Sequence, residues 1–394
     1  MEGQIRTVYY QAYTMAYDLA KKAEKAYCFE RGLSSSNFIQ FGYWDAGHDG
    51  LQAGERLYLA LKQLEMAYQE KRGYDYEITK PISLRQVNSL ALIQLRETGT
   101  CEFALPEVLF DMDHPGHYMR RMKSIALTIP CVVGPYTSMN CTLRLTEHEF
   151  RTSASLCGKD GYQKQMDEPD ERFSTVNVPI TSIAVSTGQN DSGVFELNFR
   201  DERYIPFEGA GVISKWRIEL PQEFPQFDYT TIADVIMHLR YTALWGGEKL
   251  KSAANATVKT YLSNVGELSQ QEGLYAVFDL KGDFSDEWYK ATHSTDHHIM
   301  TLEKLSDRLP LFTRNKTVTA QKVLLCFPAA YNSDQVIKMS FSSPAPAAGP
   351  NISDKVKTFV WDNCAWSMQK WELTLSEQIK DTDKIWLVIR YTIT

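Results

Sequence analysis

No window of this sequence approaches the roughly 20 uncharged apolar residues needed to span a bilayer, because charge, proline or glycine interrupts every apolar stretch. Membrane insertion by this chain alone is therefore not expected. Blocks of Lys and Arg are equally absent, and 42 basic against 49 acidic residues leave a formal charge of −7. That balance offers no electrostatic footprint for a phosphate backbone, so nucleic acid is not an expected partner. Cysteines are few: Cys28, Cys101, Cys131, Cys141, Cys157, Cys326 and Cys364 are odd in number and never spaced as C-x-x-C. Reduced, mostly buried thiols are predicted, in place of a disulfide framework or a zinc site. The first residues enter an amphipathic pattern without the apolar run and cleavage site of a signal peptide, so classical secretion is not expected. Localisation stays open between the cytoplasm and non-classical release. Neither a Gly-x-Ser-x-Gly elbow nor a phosphate loop occurs, and Gly209-Ala210-Gly211 lacks the third glycine of a dinucleotide loop. These absences predict no catalysis and no cofactor.

What is present is ordinary globular material: 394 residues, 43% hydrophobic and 23% charged, enough for two or three domains. Ile5, Tyr9, Ala12, Ala16, Leu19, Ala23 and Ala26 recur at alternating steps of four and three, a heptad seam on one helix face. A Gly- and Ser-rich break follows. A second helix is predicted from a cap at Asp49 to Gln52, with Leu57, Leu61, Leu64 and Tyr68 on its apolar face. The pair reads as an antiparallel helical hairpin, which needs either a larger bundle or the β domain itself to bury its faces. Ser83 to Gln86 offers a capping box for a short helix through Leu95, ended by Gly99.

Beyond that point the period changes to two, in runs such as Ser124–Ile129, Thr142–Thr146 and Trp216–Leu220, and antiparallel sandwich structure is predicted. The sequence then echoes itself in order. Cys101–Leu105 is echoed by Ala276–Leu280, Lys123–Pro130 by Gln321–Pro328, Lys215–Leu220 by Lys370–Leu375, and Asp234–Thr242 by Asp383–Thr392 with one residue inserted. The expected fold class is α+β: the helical hairpin, residues 1–97, then two mainly antiparallel β-sandwich domains in tandem, 98–247 and 272–394. The second is a reduced copy without a counterpart for Ile183 to Gly211. Residues 248–271, poor in large apolar side chains, are expected as a linker with one helical turn.

Several clusters invite chemistry. Asp111, Asp113, His114 and His117 could share a divalent metal, but Pro115-Gly116 marks an ordinary turn and no metal is expected. His293, His297 and His298 read as solvated imidazoles, and Asp191-Ser192-Gly193 as a hairpin turn. Trp361, Trp366 and Trp371 fit core packing better than a sugar platform. Tyr204, Pro206, Phe207, Glu208 and Gly209 form the segment expected to bind a partner, because aromatics beside Pro and Gly supply anchors at low entropic cost.

The first β region resembles a known family, the C-terminal TcB-binding region of the A component (TcA) of insecticidal Tc toxin complexes. The residues carrying the resemblance are Ile129-Pro130 with Gly134-Pro135-Tyr136, Ile183 through Gly193, Tyr204 through Gly209, and Ile236 through Thr242. Upstream, Tyr9 through Tyr27 and Gly50 through Glu55 also match, so it covers about Tyr9 to Tyr241. It implies a non-catalytic assembly module, a homo-oligomer that is pentameric, closes a channel entrance and docks a TcB-like protein component. Receptor-binding and pore-forming parts expected upstream are missing here. The alternative is a freestanding β-sandwich recognition protein, binding carbohydrate or protein with the same fold.

Overall fold

A computed structural model describes residues 2–33, 35–45, 50–70, 75–134, 139–157, 161–165, 169–176, 178, 181–186, 194–195, 206–293, 298–328, 338–339, 347–348, 356–375, 379–380 and 383–394. The chain opens with two helices, α1 (Glu2–Arg31) and α2 (Ala53–Glu70). Tyr13, Tyr17, Ala20, Leu57, Ala60 and Leu61 pack between them, together with Ile39 from the connection. The helices do not form the antiparallel hairpin expected. Tyr9 bonds Gly50 just before α2, and Arg31, at the far end of α1, reaches Tyr68 at the far end of α2, so the two run in the same direction. The physical reason lies in the length of the break. Residues 32–52 reach about 70 Å when extended, ample for the return of about 33 Å along α1.

Glu24 fastens that return segment. It is buried and accepts from Lys21 at 2.9 Å, Ser36 at 3.0 Å and the Ile39 N–H at 3.0 Å. Burial pushes its carboxyl upward, but the bonds from Lys21, Ile39 and Ser36 together hold it below the usual carboxylate value. A folded value below the unfolded one, about 4.3, gives stability that is present above that pH and lost as pH falls through the folded value. Acidification below about pH 4 is therefore expected to expose the Ile39 amide to exchange before global unfolding. Glu24→Gln should leave that amide exchanging fast at neutral pH; protection unchanged in the variant would refute the role.

The expected heptad seam is real as a pattern but faces outward. Ile5, Tyr9, Ala12, Ala16, Leu19, Ala23 and Ala26 are all exposed, and Leu19 and Ile5 are 69% and 66% exposed.

The first β unit begins earlier than the sequence suggested. Strand β1 (Tyr76–Ser83) and the short helices α3 (Leu84–Val87) and α4 (Ser89–Thr98), assigned above to the helical stub, belong to it. The Ser83 side chain caps α3 and Gly99, in the left-handed region, ends α4 as predicted, with Asn88 dividing the two. Then come β2 (Thr100–Leu105), α5 (Glu107–Asp111), β3 (His117–Thr128), β4 (Asn140–Arg151), β5 (Phe173–Ser174), β6 (Ser182–Ser186), β7 (Val194–Phe195), β8 (Ile213–Glu219) and β9 (Ile236–Trp245). One antiparallel sheet has the order β1-β9-β3-β7, and the other β2-β8-β4-β5 with β6 also on β4. Their inner faces close one core around Trp216, Tyr241, Phe110 and Phe207.

Residues 248–271 are not a linker. They form α6 (Gly247–Gln271), 25 residues long, whose modest apolar stripe is covered at Leu250 and Ala254. The second unit follows: β10 (Leu274–Asp279), α7 (Leu280–Asp283), α8 (Ser285–His293), β11 (His298–Glu303), β12 (Val318–Pro328), β13 (Lys338–Met339), β14 (Ala347–Ala348), β15 (Val356–Ser367), β16 (Lys370–Leu375) and β17 (Trp386–Ile393). Its sheets, β10-β17-β12-β15-β14 and β11-β16-β13, enclose a separate core. That core buries Trp361, Trp366 and Trp371, so they form no exposed platform.

The two units share one plan. In each, a helix precedes an edge strand, two short helices and a second strand, and the last strand lies between the edge strand and a bulged third one. The bulges coincide, between Met122 and Ser124 in β3 and between Ala320 and Lys322 in β12. Tyr241 opposes Met122, and Tyr391 opposes Ala320. The first helical N–H is tied alike in both: Leu84 to the Val235 carbonyl at 2.8 Å, Leu280 to that of Ile385 at 3.0 Å. Three of the four echoes thus mark equivalent strands, and the inserted residue is not needed. The first echo was misplaced: β10 stands where β1 stands, and β11 takes the place of β2. Short alternating strands carry too little register information to tell one edge strand from another. Likewise β15 occupies the position of β7, so Val194-Phe195 has a counterpart.

Candidate functional site

Helix α1 meets the first β unit at a joint built on Arg121. The helix ends in a Schellman turn, with Gly32 in the left-handed region, its N–H on the Phe29 carbonyl and the Leu33 N–H on that of Cys28. A side chain at Gly32 would start 2.8 Å from the Phe150 ring of β4, so the helix end sits directly on the sheet. The carbonyls of the last turn need donors. Arg121 supplies them, reaching Phe29 and, at 3.1 Å, Glu30, while its Nε donates to Gly209 at 2.9 Å. Its guanidinium lies 4.3 Å from the Phe29 ring centre and 5.2 Å from that of Phe150. Burial pushes Arg121 below the usual arginine value, with Glu30 opposing. A planar fork that bonds three carbonyls and stacks on two rings is a task for arginine and not lysine.

The expected partner-binding segment forms the other wall of this joint. Gly209 and Ala210 bond the backbone of Met122 at the β3 bulge, the Gly209 N–H on the Met122 carbonyl at 2.8 Å and the Met122 N–H on the Ala210 carbonyl at 2.7 Å. Gly209 has φ +80, and a Cβ there would lie 2.5 Å from Phe29, so glycine is required. Phe207 holds a φ of 63, costly for a bulky residue, and its ring packs edge-on to Trp216 at 5.1 Å. Pro206, Phe207 and Gly209 are buried and Glu208 is exposed; Tyr204 lies outside the described residues, as do Pro135, Tyr136 and the Asp191 turn. The Phe207 ring, read from sequence as an anchor for a partner, is thus committed to its own core.

Beneath the joint lies a buried ionic network that sequence reasoning missed. Asp111 accepts from Arg120 and from the Tyr162 hydroxyl, both at 2.7 Å. Glu107 takes a two-pronged bond from Arg151, 2.9 Å on each prong, and Arg151 also reaches the Tyr162 carbonyl at 2.7 Å. Arg120, Asp111, Arg151 and Tyr162 are all buried. Burial drives the Asp111 carboxyl up and Arg120 pulls it back; burial also pushes the Tyr162 phenol far up. The available signal was the pair Arg120-Arg121 interrupting a strand of a core sheet. Asp113 is engaged by Lys80, so the Asp111 and Asp113 carboxylates face cations and not His114 and His117. Among the described residues no group of three or more metal-ligating side chains gathers. His293 is exposed and stacks on Tyr289 at 4.1 Å; His297 and the His298 side chain lie outside the description. All seven cysteines are free; Cys101, Cys141 and Cys326 are buried and the others half-buried.

An open groove of about 660 Å3 runs beside the joint. Its titratable groups are already engaged: Lys215 with Glu147 at 2.7 Å, Lys164 with Glu149, and His148 as acceptor of the Gly211 N–H at 3.2 Å. Burial lowers His148 from its usual value, consistent with a neutral acceptor.

Parallel helices clamped by a buried arginine onto paired antiparallel sheets define a mixed α+β scaffold. The chain belongs to the family of the Tc toxin complex TcA C-terminal TcB-binding domain, whose model matches residues 1–243. It is 35% identical over 268 residues to the toxin subunit YenA2 of Yersinia entomophaga, covering 67% of this chain and 19% of that protein. Among solved structures it is similar to Morganella morganii TcdA4, at 26% identity over 61% of this chain and 10% of that one, with a TM-score of 0.43. Yersinia pseudotuberculosis TcaA-TcaB matches at 24% identity over 61% of this chain and 14% of that one, again with a TM-score of 0.43. The chain thus spans about a fifth of the length of YenA2. No helix among the described residues is long and apolar enough to cross a membrane.

Proposed function

We propose that this chain is a non-catalytic docking module of a toxin-complex A component, which associates with further copies of itself through α1 and receives a TcB-type subunit on its first β unit. The observation that supports self-association is the outward seam on α1: an apolar heptad stripe left uncovered in the monomer has its usual partner in another helix. Within the partner-binding segment Glu208 is the described side chain free to touch a TcB-type surface, while Pro206, Phe207 and Gly209 hold its loop in shape. Non-catalysis is supported by the wide groove, whose carboxylates, lysines and histidine are engaged with one another or the backbone and leave no nucleophile beside a base.

Light scattering tests the first part. The full chain is expected to give an oligomer, pentameric by the family resemblance, and Leu19→Asp with Ile5→Asp a monomer of unchanged fold. A wild-type monomer over a wide concentration range would refute assembly through α1. Capture of a purified TcB-type subunit, weakened by Glu208→Arg, tests docking; binding indifferent to that change would remove Glu208 from the contact.

A further inference from the structure

The junction between the two β units gathers more positive charge than the protein itself neutralises. Arg85 and Arg96, from α3 and α4, both donate to one oxygen of Asp283 at the end of α7, Arg96 at 3.0 Å. The other Asp283 oxygen accepts the Asp279 N–H at 3.0 Å. Arg96 spends two further donors on the Ile232 and Ala233 carbonyls, at 2.7 and 3.3 Å. Arg308 approaches from the second unit and lies 4.5 Å over the Phe284 ring. Its guanidinium makes no hydrogen bond or ion pair with the described residues, and neighbouring Asp307 is exposed. Burial and the nearby Arg85 push Arg308 below the usual arginine value, yet a guanidinium remains charged at neutral pH. Asp279 is buried, and its carboxyl is driven up by that burial and by Asp283. Three guanidinium groups therefore face one engaged carboxylate and a second that resists ionisation, so an excess of positive charge remains whichever form Asp279 takes.

Arg85, Arg96, Asp283 and Arg308 line a common cavity of about 20 Å3, whose other walls are Ser89 and apolar residues of α4, the edge strand β10 and the Leu309-Pro310 turn. That volume has room for a small species of about the size of a water molecule. The fold does not require the cluster. Aligning Leu84 with Leu280 puts Val87 at the position of Asp283 and Thr292 at that of Arg96, so the repeated plan uses other side chains at these places. Arg308 is half-buried, and like charges gathered around a partly enclosed cavity repel one another, a repulsion that a counter-ion relieves.

We propose that this cavity binds one small inorganic anion of halide size, held by Arg308 together with Arg85 and Arg96, and that the anion fastens the second β unit to the first. Crystals of the full chain soaked in bromide are expected to show an anomalous peak in the cavity, within hydrogen-bond range of Arg308. In solution, replacing gluconate by chloride at constant ionic strength should raise the unfolding midpoint by about 1–2 °C, the shift expected when the anion is in roughly fivefold excess over its Kd. Arg308→Gln should abolish that rise, and Arg314→Gln, which loses only a bond to Gln86 across the same junction, should keep it. A bromide map with peaks elsewhere but none here would overturn the proposal, whatever the variants do. So would an equal chloride response in Arg308→Gln, or a response to phosphate with none to chloride.

Discussion

Asp111→Ala is expected to destabilise the first β unit by about 3–5 kcal/mol, the usual loss when one member of a buried ion pair is removed. Arg120 would keep its charge in the core with only the His114 carbonyl, now 2.8 Å away, as acceptor. Its Nε and Nη1 already lack partners among the described residues, so no spare bond can take up the loss. The Tyr162 hydroxyl would be orphaned as well. Asp111→Asn should recover part of the deficit by accepting from Tyr162, without restoring the charge opposite Arg120. The triple change Asp111→Leu, Arg120→Met and Tyr162→Phe should recover most of it, because apolar groups of similar volume then leave neither a charge nor the Tyr162 hydroxyl unpaired. Urea melts followed through Trp216, which lies in the same core, would measure these differences. A loss below about 1 kcal/mol for Asp111→Ala, typical of an exposed pair, would show that the network is hydrated and not a buried one.

Arg121→Ala should separate the helical pair from the β unit, at a cost of about 3–4 kcal/mol from hydrogen bonds to a charged donor and stacking on the Phe29 ring and the buried Phe150 ring. Its local signature is sharper than its effect on global stability. Amides in the last turns of α1 should lose exchange protection while those of β8 and β9 keep theirs, since both strands are also held by their sheets and by the core. Arg121→Lys is expected to retain roughly half the protection, because an ammonium cannot serve both helix carbonyls and Gly209 while lying flat on Phe29. Unchanged exchange in α1 for the alanine variant would mean that Phe150 packing under Gly32 suffices to hold the helix. If the proposed function is right, the alanine variant should also lose TcB-type binding without losing self-association.

Much of this architecture was legible in the sequence because its signals are local. The capping serine at Ser83 and the left-handed Gly99 mark their turns through one or two residues each. Tyr241 and Tyr391, Trp216 and Trp371 mark equivalent strands because a large ring needs the same core position in each copy. Other features were illegible for a shared reason. The 25-residue α6 has few large apolar residues because only a narrow stripe is covered. The direction of α2 depends on contacts of Tyr9 with Gly50 and Glu24 with Ile39, pairs far apart in the chain. Arg120 and Arg121 are adjacent in sequence, yet one enters an ion network and the other caps a helix, since successive residues of a strand point to opposite faces.

By itself, then, the sequence determined the class of structure, the ordered echoes that mark a second related unit, and the family of the first. Those follow from periodicity, turn chemistry and motif order, which the backbone must obey wherever the segment ends up. Only the tertiary structure decided which face of α1 is covered, that Phe207 belongs to the core and not to a partner, and that charges from both units converge around Asp283. These depend on pairings between distant residues, and a buried charge or ring takes its meaning from the groups that the fold brings against it.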